Sequence, residues 1–336
     1  MRYNFVLYAI GLICFRGFGS IVENKIPNMS NLFHLAWTTS ADSFKCWRIY
    51  VILSIQRNYH NQQFTIYIHS NSLSDQILTR CQEHEKINPS SIQYWPINDK
   101  VFEETPIFDW WIQHKEFHGD LPANHDDFRY SHLTDLIRFA VLWKFGGTYL
   151  DFDMLLLRPL AAFHNSFAAQ KDEKDALTMD DSDPYNFAFA IFEPKHPFLR
   201  AVMENVSYVY DPQLWPCVGP RLITSFVNDW SSRGKVEFHK ELPKEAISRS
   251  NINASIVHVF PHVYFYPLYW KFGASLVLRN ESSKRDFNRL MSSAVTLHIW
   301  SRSTNMSTIE KGSTLYMLMN HIRAGNNRRK GAPSIV

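Results

Sequence analysis

The chain has 336 residues, of which 45% are hydrophobic and 20% charged, and a formal net charge of +3. That length and apolar content suffice for one large core or two merged subdomains. The charge is too small for a nucleic-acid binder and no basic stripe is interleaved with aromatics, which excludes nucleic acid as a partner.

Phe5 to Phe15 is an apolar run of eleven residues before Arg16, shorter than the ~20 that span a bilayer. It fits a signal-peptide core, with Gly17 and Gly19 forming a small-residue cleavage site. Extension to Val22 approaches spanning length, but Arg16 near the centre would cost about 2.5–3.5 kcal/mol on insertion. Residues 1–22 thus read as a signal peptide or a short signal-anchor, and both place the rest of the chain in the secretory pathway.

Next come a strand at Leu32–Trp37, a helix at Cys46–Gln56, a strand at Phe64–Ile68, a helix at Asp75–Glu85 and a strand at Ile92–Tyr94. This alternation predicts a parallel α/β sheet. Ligands in such sheets bind beyond the carboxyl ends of strands. Trp37, Thr38 and Thr39 are therefore candidates for holding a nucleotide, the alternative being a buried strand end and a polar turn.

The segment Ser131–Pro159 is the most informative. Leu133, Leu136, Ile137, Ala140 and Val141 recur at helical period and predict an amphipathic helix with Ser131 as N-cap. Gly146 and Gly147 end it and turn the chain into a short strand, Thr148–Leu150, followed by Asp151, Phe152 and Asp153. Side chains alternate on extended chain, so the two aspartates share a face. Converging carboxylates at a strand end suit a hard divalent cation, Mn²⁺ or Mg²⁺, which would also hold a diphosphate. Asp135 and Arg138 lie on one helix face. Arg138 can pair with phosphate oxygens and Asp135 can accept from sugar hydroxyls. The plainer alternative is an intrahelical ion pair worth roughly a few tenths of a kcal/mol.

The second half predicts a strand at Phe187–Phe192, helices near His196–Tyr210 and Gly219–Asp229, and strands around Val257–Phe260 and Val295–Trp300. The polar stretch Asp172–Asp183 reads as a loop beside the site and residues 326–336 as a solvated tail. The four cysteines, Cys14, Cys46, Cys81 and Cys217, show no zinc-ligand spacing. Sequons at Asn28, Asn205, Asn253, Asn280 and Asn305 lend weak support to exposure in a secretory lumen.

The Asp-x-x-Arg helix, the Gly-Gly turn and the strand end Tyr149-Leu150-Asp151-Phe152-Asp153 together resemble the DXD glycosyltransferases of the retaining kind. More narrowly they are similar to the α1,4-galactosyltransferase and α1,4-N-acetylglucosaminyltransferase family. Further similar blocks occur in family order at Glu104–Pro106, Asp109–Trp111, Asn186–Phe192, Val218–Thr224 and Leu297–Trp300, so the likeness covers about Asn31 to His321. The resemblance implies a GT-A type, Rossmann-like nucleotide-sugar-binding sheet (31–165) merged with a C-terminal acceptor-binding region (166–325). It implies retaining transfer of a hexose from a UDP-sugar, galactose first and GlcNAc or GalNAc next, in α1,4 linkage. The acceptor would be a terminal galactose or N-acetylhexosamine of a glycosphingolipid or other glycan, and the location the Golgi membrane with a lumenal catalytic domain.

At the residue level the resemblance implies that His298 joins Asp151 and Asp153 around the metal, and that Asn186 lies near the reacting sugar with Asp183 as the runner-up. Trp110, Trp111, Gly219, Pro220 and Trp300 would bind acceptor. Cys46 and Cys81 would be bridged, leaving Cys217 free. Phe152 departs from the family pattern, in which a small or β-branched residue is usual. Two other readings of the chain are a catalytically silent glycan-binding relative and a mannosyl- or glucosyltransferase with the same DXD core.

Overall fold

The computed structural model describes residues 31–81, 87–118, 128–171, 183–247 and 255–327. The N-terminal segment 1–22, Asn28, Asn253 and nearly all of the Asp172–Asp183 stretch lie outside them. Among the described residues no helix is long and apolar enough to cross a membrane.

The strands are β1 (Leu32–Ala36), β2 (Thr65–His69), β3 (Ile92–Trp95), β4 (Gly147–Leu150), β5 (Met154–Leu156), β6 (Ser166–Ala169), β7 (Tyr185–Phe192), β8 (Val236–Phe238), β9 (Val257–Phe260) and β10 (Thr296–His298). Eight form one sheet in the order β3-β2-β1-β4-β7-β6-β9-β8, and β10 pairs with β5 in a separate ribbon. The expected α/β architecture is present. From β3 to β4 the sheet is parallel, as the early alternation predicts.

Beyond β4 the sheet becomes mixed: β7 runs antiparallel to both β4 and β6. Its eight residues are all buried, and a continuous apolar run carries no mark of strand direction. The division at residue 165 falls immediately before β6, inside this continuous sheet. One apolar core, including Leu35, Ile52, Phe189 and Leu297, packs on one face, and another, including Leu136, Phe139, Phe187 and Ile223, on the other.

The helix preceding the aspartates spans Arg129–Phe145. Ser131 lies within its first turn rather than at its N-cap, and accepts from Trp215 Nε1 (3.2 Å). Nor is the helix amphipathic in effect. Every residue from Asp135 to Trp143 is buried, because the helix lies between the sheet and the helices at Asp99–Phe102 and Pro197–Glu204. The apolar stripe marks only the more hydrophobic of two covered faces.

Gly146 and Gly147 close it with φ of 64° and 97°. Both need glycine for space as well as for φ. A Cβ on Gly146 would meet Pro194 Cδ at 2.6 Å, and one on Gly147 the Leu32 carbonyl oxygen at 2.7 Å. Cys46 and Cys81 are disulfide-bonded, tying the turn Cys46–Arg48 to the end of the helix Asp75–Arg80. Gly147→Ala is expected to lower the unfolding free energy in urea titration by about 1–3 kcal/mol, the cost of forcing a left-handed conformation and moving β1.

Candidate active site

The site forms where β4 ends, and Arg138 lies at its centre. The guanidinium pairs with Asp135 Oδ1 one turn earlier (3.0 Å) and with Asp151 Oδ1 just past β4 (3.0 Å). Arg138 also donates to Asn186 Oδ1 on β7 (3.1 Å). Asn186 reaches this position because the β6–β7 register shifts: Phe167 pairs with Ala190, but the next residue, Ala168, pairs with Asn186. Such an irregularity re-aims side chains. Burial alone would lower the Arg138 pKa, but the Asp151 and Asp135 carboxylates hold it above its ordinary value.

Asp153 belongs to a second group. Its Oδ1 accepts from His298 Nε2 (3.0 Å), and its Oδ2 from the Ser301 backbone N–H (2.9 Å) and hydroxyl (2.7 Å). The β5–β10 ribbon makes this possible, since its register sets His298 opposite Met154. Burial would raise the Asp153 carboxyl, but the charge and hydrogen bond of His298, then Arg48 and Ser301, hold it well below the usual carboxylate range.

Trp300 adopts a left-handed backbone (φ 56°). Its indole donates to the Leu268 carbonyl (2.6 Å) and packs 4.1 Å from the His298 ring. Strain of this kind, about 1–3 kcal/mol, persists where surrounding contacts over-determine the conformation.

Potential ligand atoms of Asp151, Asp153 and His298 all lie within 4.8 Å of one another. Two carboxylates and an imidazole are a donor set suited to Mn²⁺ or Mg²⁺, so the residues fit the divalent cation that the sequence implies. They sit where two cavities meet. The first, about 420 Å³, is lined by Trp37, Thr38, Thr39 and Arg48. The second, about 440 Å³, is lined by Asp135, Asn186, Pro220, Trp270, His298 and Trp300. Arg138, Asp151, Asp153, Trp215, Ser301 and Arg302 line both.

Of the residues named from sequence, Trp37, Thr38, Thr39, Asp135, Arg138, Asp151, Asp153, Asn186, Pro220, His298 and Trp300 are thus brought together. Gly219 lies behind the wall, so close to Asp135 that a Cβ would run into the carboxylate. Asp183 does not line the cavities and faces Arg221 at 3.8 Å. Trp110 and Trp111 do not line them either. Trp111 is 1% exposed, stacked on Phe102 and bonded to Asp99 Oδ1 (2.8 Å), while Trp110 stacks on His114. Phe152 is largely buried, edge-on to Phe44 and Trp37, and also lines the first cavity.

Sequence reasoning missed Arg48, Ser301 and Gln170. Arg48 lies over the rings of Trp37 and Trp47 and donates to Ser301 Oγ (3.2 Å). Gln170 accepts from Asn186 Nδ2 (3.4 Å) on the wall of the second cavity. Only the position of Ser301 directly after the Leu297–Trp300 block was a usable signal.

Residues 59–174 match a glycosyltransferase sugar-binding region containing the DXD motif, and residues 191–322 an alpha 1,4-glycosyltransferase conserved region. The chain thus carries both glycosyltransferase regions, and its homologues are α1,4-glycosyltransferases. Among its homologues, the lactosylceramide 4-alpha-galactosyltransferase of Rattus norvegicus is 27% identical over 248 residues, 73% of this chain and 58% of that protein. The human alpha-1,4-N-acetylglucosaminyltransferase is 32% identical over 132 residues, 39% of this chain and 33% of that one. The match therefore spans about three fifths of the length of the rat and mouse galactosyltransferases. Among solved structures, galactosyltransferase LgtC in complex with donor and acceptor sugar analogs superposes with a TM-score of 0.38 at 12% identity, covering 90% of this chain and 98% of that one.

Asp135 supplies a pH test of this site. Burial pushes its carboxyl up to about 6, Arg138 pulling it down and Asp151 raising it further. Unfolded chain releases that proton near 3.8. Between these values the folded state binds more protons, so this contribution to stability is present at low pH and lost as pH rises through 6. The unfolding free energy of the native protein minus that of Asp135→Asn is expected to fall by up to about 3 kcal/mol from pH 4 to pH 7, measured by urea titration at each pH.

Proposed function

We propose that this chain transfers a hexose from a UDP-sugar, with retention and in α1,4 linkage, to a terminal galactose or N-acetylhexosamine of a glycosphingolipid or other glycan. Galactose is the first candidate for the donor sugar, before N-acetylglucosamine and N-acetylgalactosamine. The observation that carries the reading is the convergence of Asp151, Asp153 and His298 with Arg138 at the junction of two cavities. One cavity can hold a nucleotide and the other an acceptor, with the sugar between.

In this reading Asp151, Asp153 and His298 hold a divalent cation, Mn²⁺ or Mg²⁺, which when bound supplies Lewis-acid stabilisation to a departing diphosphate. Trp37, Thr38 and Thr39 receive the uridine and ribose. Arg138, fixed by three acceptors and needing no reorganisation, directs positive potential at the phosphates. Asp135 accepts from donor-sugar hydroxyls. Asn186 faces the reacting carbon, and since an amide is a poor nucleophile, the acceptor oxygen bonds to that carbon on the face the phosphate leaves. The carbon–phosphate oxygen bond breaks, and the hydroxyl proton passes to the departing phosphate oxygen. Asp183, held towards Arg221, is second choice for a covalent route. Pro220, Trp270 and Trp300 offer the acceptor glycan apolar and aromatic surface.

A Golgi lumenal setting is part of the proposal. The Cys46–Cys81 bridge supports an oxidising compartment, and a lipid-linked acceptor would bring the protein to a membrane.

The test is nucleotide release from a panel of UDP-sugars, with and without Mn²⁺ and a lactose-ended glycolipid. One donor is expected to turn over only with metal. Asp153→Asn should lower the rate by about 10²–10³, comparable to losing a preorganised electrostatic contact, and Arg138→Lys should also lose rate because the ammonium cannot reproduce the forked geometry. If no donor turns over while the folded protein still binds glycans, the silent glycan-binding reading replaces this one.

A further inference from the structure

At one end of the sheet a second convergence of ligand atoms occurs, unrelated to the proposed transfer chemistry. Among the described residues β8 is one of the two edge strands; it runs parallel to β9, with Glu237 directly opposite His258. Two residues beyond Glu237, His239 is placed on the same face by the alternation of extended chain, and its ring stacks on Phe260 at 4.5 Å.

The three side chains close on one point. His239 Nε2 is 3.0 Å from His258 Nδ1, and Glu237 Oε2 is 3.3 Å from that same nitrogen. All three ligand atoms lie within 4.8 Å of one another. Donors arranged tetrahedrally about an ion at Zn–N distances are separated by about 3.3 Å, so these spacings already match a metal shell.

Hydrogen bonding alone satisfies the group poorly. His258 Nδ1 has either one hydrogen or one lone pair, yet two neighbours compete for it. His258 is 4% exposed, so water has little access to relieve that competition. A cation at the centre would engage a lone pair from each of the three groups at once.

We propose that Glu237, His239 and His258 form a site for a divalent transition metal of the Zn²⁺ class, with water in the fourth position. Two imidazoles and one carboxylate favour such an ion over Mg²⁺ or Ca²⁺, which take oxygen ligands. The site joins β8, a strand of three residues, to β9. It thereby ties the short edge strand to its neighbour through side chains as well as through the backbone ladder. β8 is four strand spacings from β4, about 19 Å, so the ion is separate from the one implied at Asp151 and Asp153.

The experiment is calorimetric titration of the chelator-stripped full chain with ZnCl₂, for the native protein and for Glu237→Gln, His239→Ala and Asp153→Asn, each checked for folding by circular dichroism. One equivalent of Zn²⁺ retained in Asp153→Asn, and weakened in both edge variants by at least the ~10–100-fold that loss of an outer-shell contact costs, is the expected result. Glu237 is more than half exposed, so Glu237→Gln keeps the test valid if His239→Ala does not fold. Zinc affinity unchanged in the edge variants, zinc binding lost only in Asp153→Asn, or no uptake at all would overturn the proposal.

Discussion

A buried guanidinium needs partners, and that requirement on Arg138 organises the site. Left unpaired it would cost several kcal/mol, and its acceptors come from three elements: Asp135 on its own helix, Asp151 beyond β4 and Asn186 on β7. Meeting the requirement therefore aligns the helix, the strand end and the irregular stretch of β7. The wall of the second cavity is tied to the same group, because the absent side chain of Gly219 lets the start of the helix Pro220–Ser232 lie against Asp135.

Two carboxylates on adjoining turns of chain repel each other unless each has its own compensation. Here the compensations are separate. Asp151 is held by Arg138, whereas Asp153 is held by His298 and Ser301, which arrive on the β5–β10 ribbon outside the main sheet. Phe152 between them is anchored in the core against Phe44 and Trp37, so the aspartates cannot turn away together. The departure from the family pattern at Phe152 thus contributes packing and removes no ligand.

Much of this was legible in the residues. The Gly146-Gly147 stop, the Asp-x-Asp strand end and the Asp135–Arg138 spacing are local signals, and each is where the residue pattern puts it. His298 was legible only through family likeness, since a lone histidine 145 residues from its aspartate has no local mark. Trp110 and Trp111 lie outside the two cavities, with rings packed on His114 and Phe102, and side-chain type does not distinguish sugar stacking from such packing. Arg48 was missed for the converse reason, as its role depends on the rings of Trp37 and Trp47 beneath it and on Asp153 across the cavity.

The sequence by itself determined the parallel α/β half and the turn that presents the aspartates, because periodicity and glycine conformations act over a few residues, and its short motifs carried the likeness to DXD glycosyltransferases. Only the tertiary structure decided the direction of β7, the burial of the helix Arg129–Phe145 on both sides, the pairing of Asp153 with His298 and the meeting of Glu237, His239 and His258. These depend on which segments lie side by side once the chain has closed its sheet. An apolar run or a solitary histidine is compatible with many such arrangements until packing and the compensation of buried charge select one.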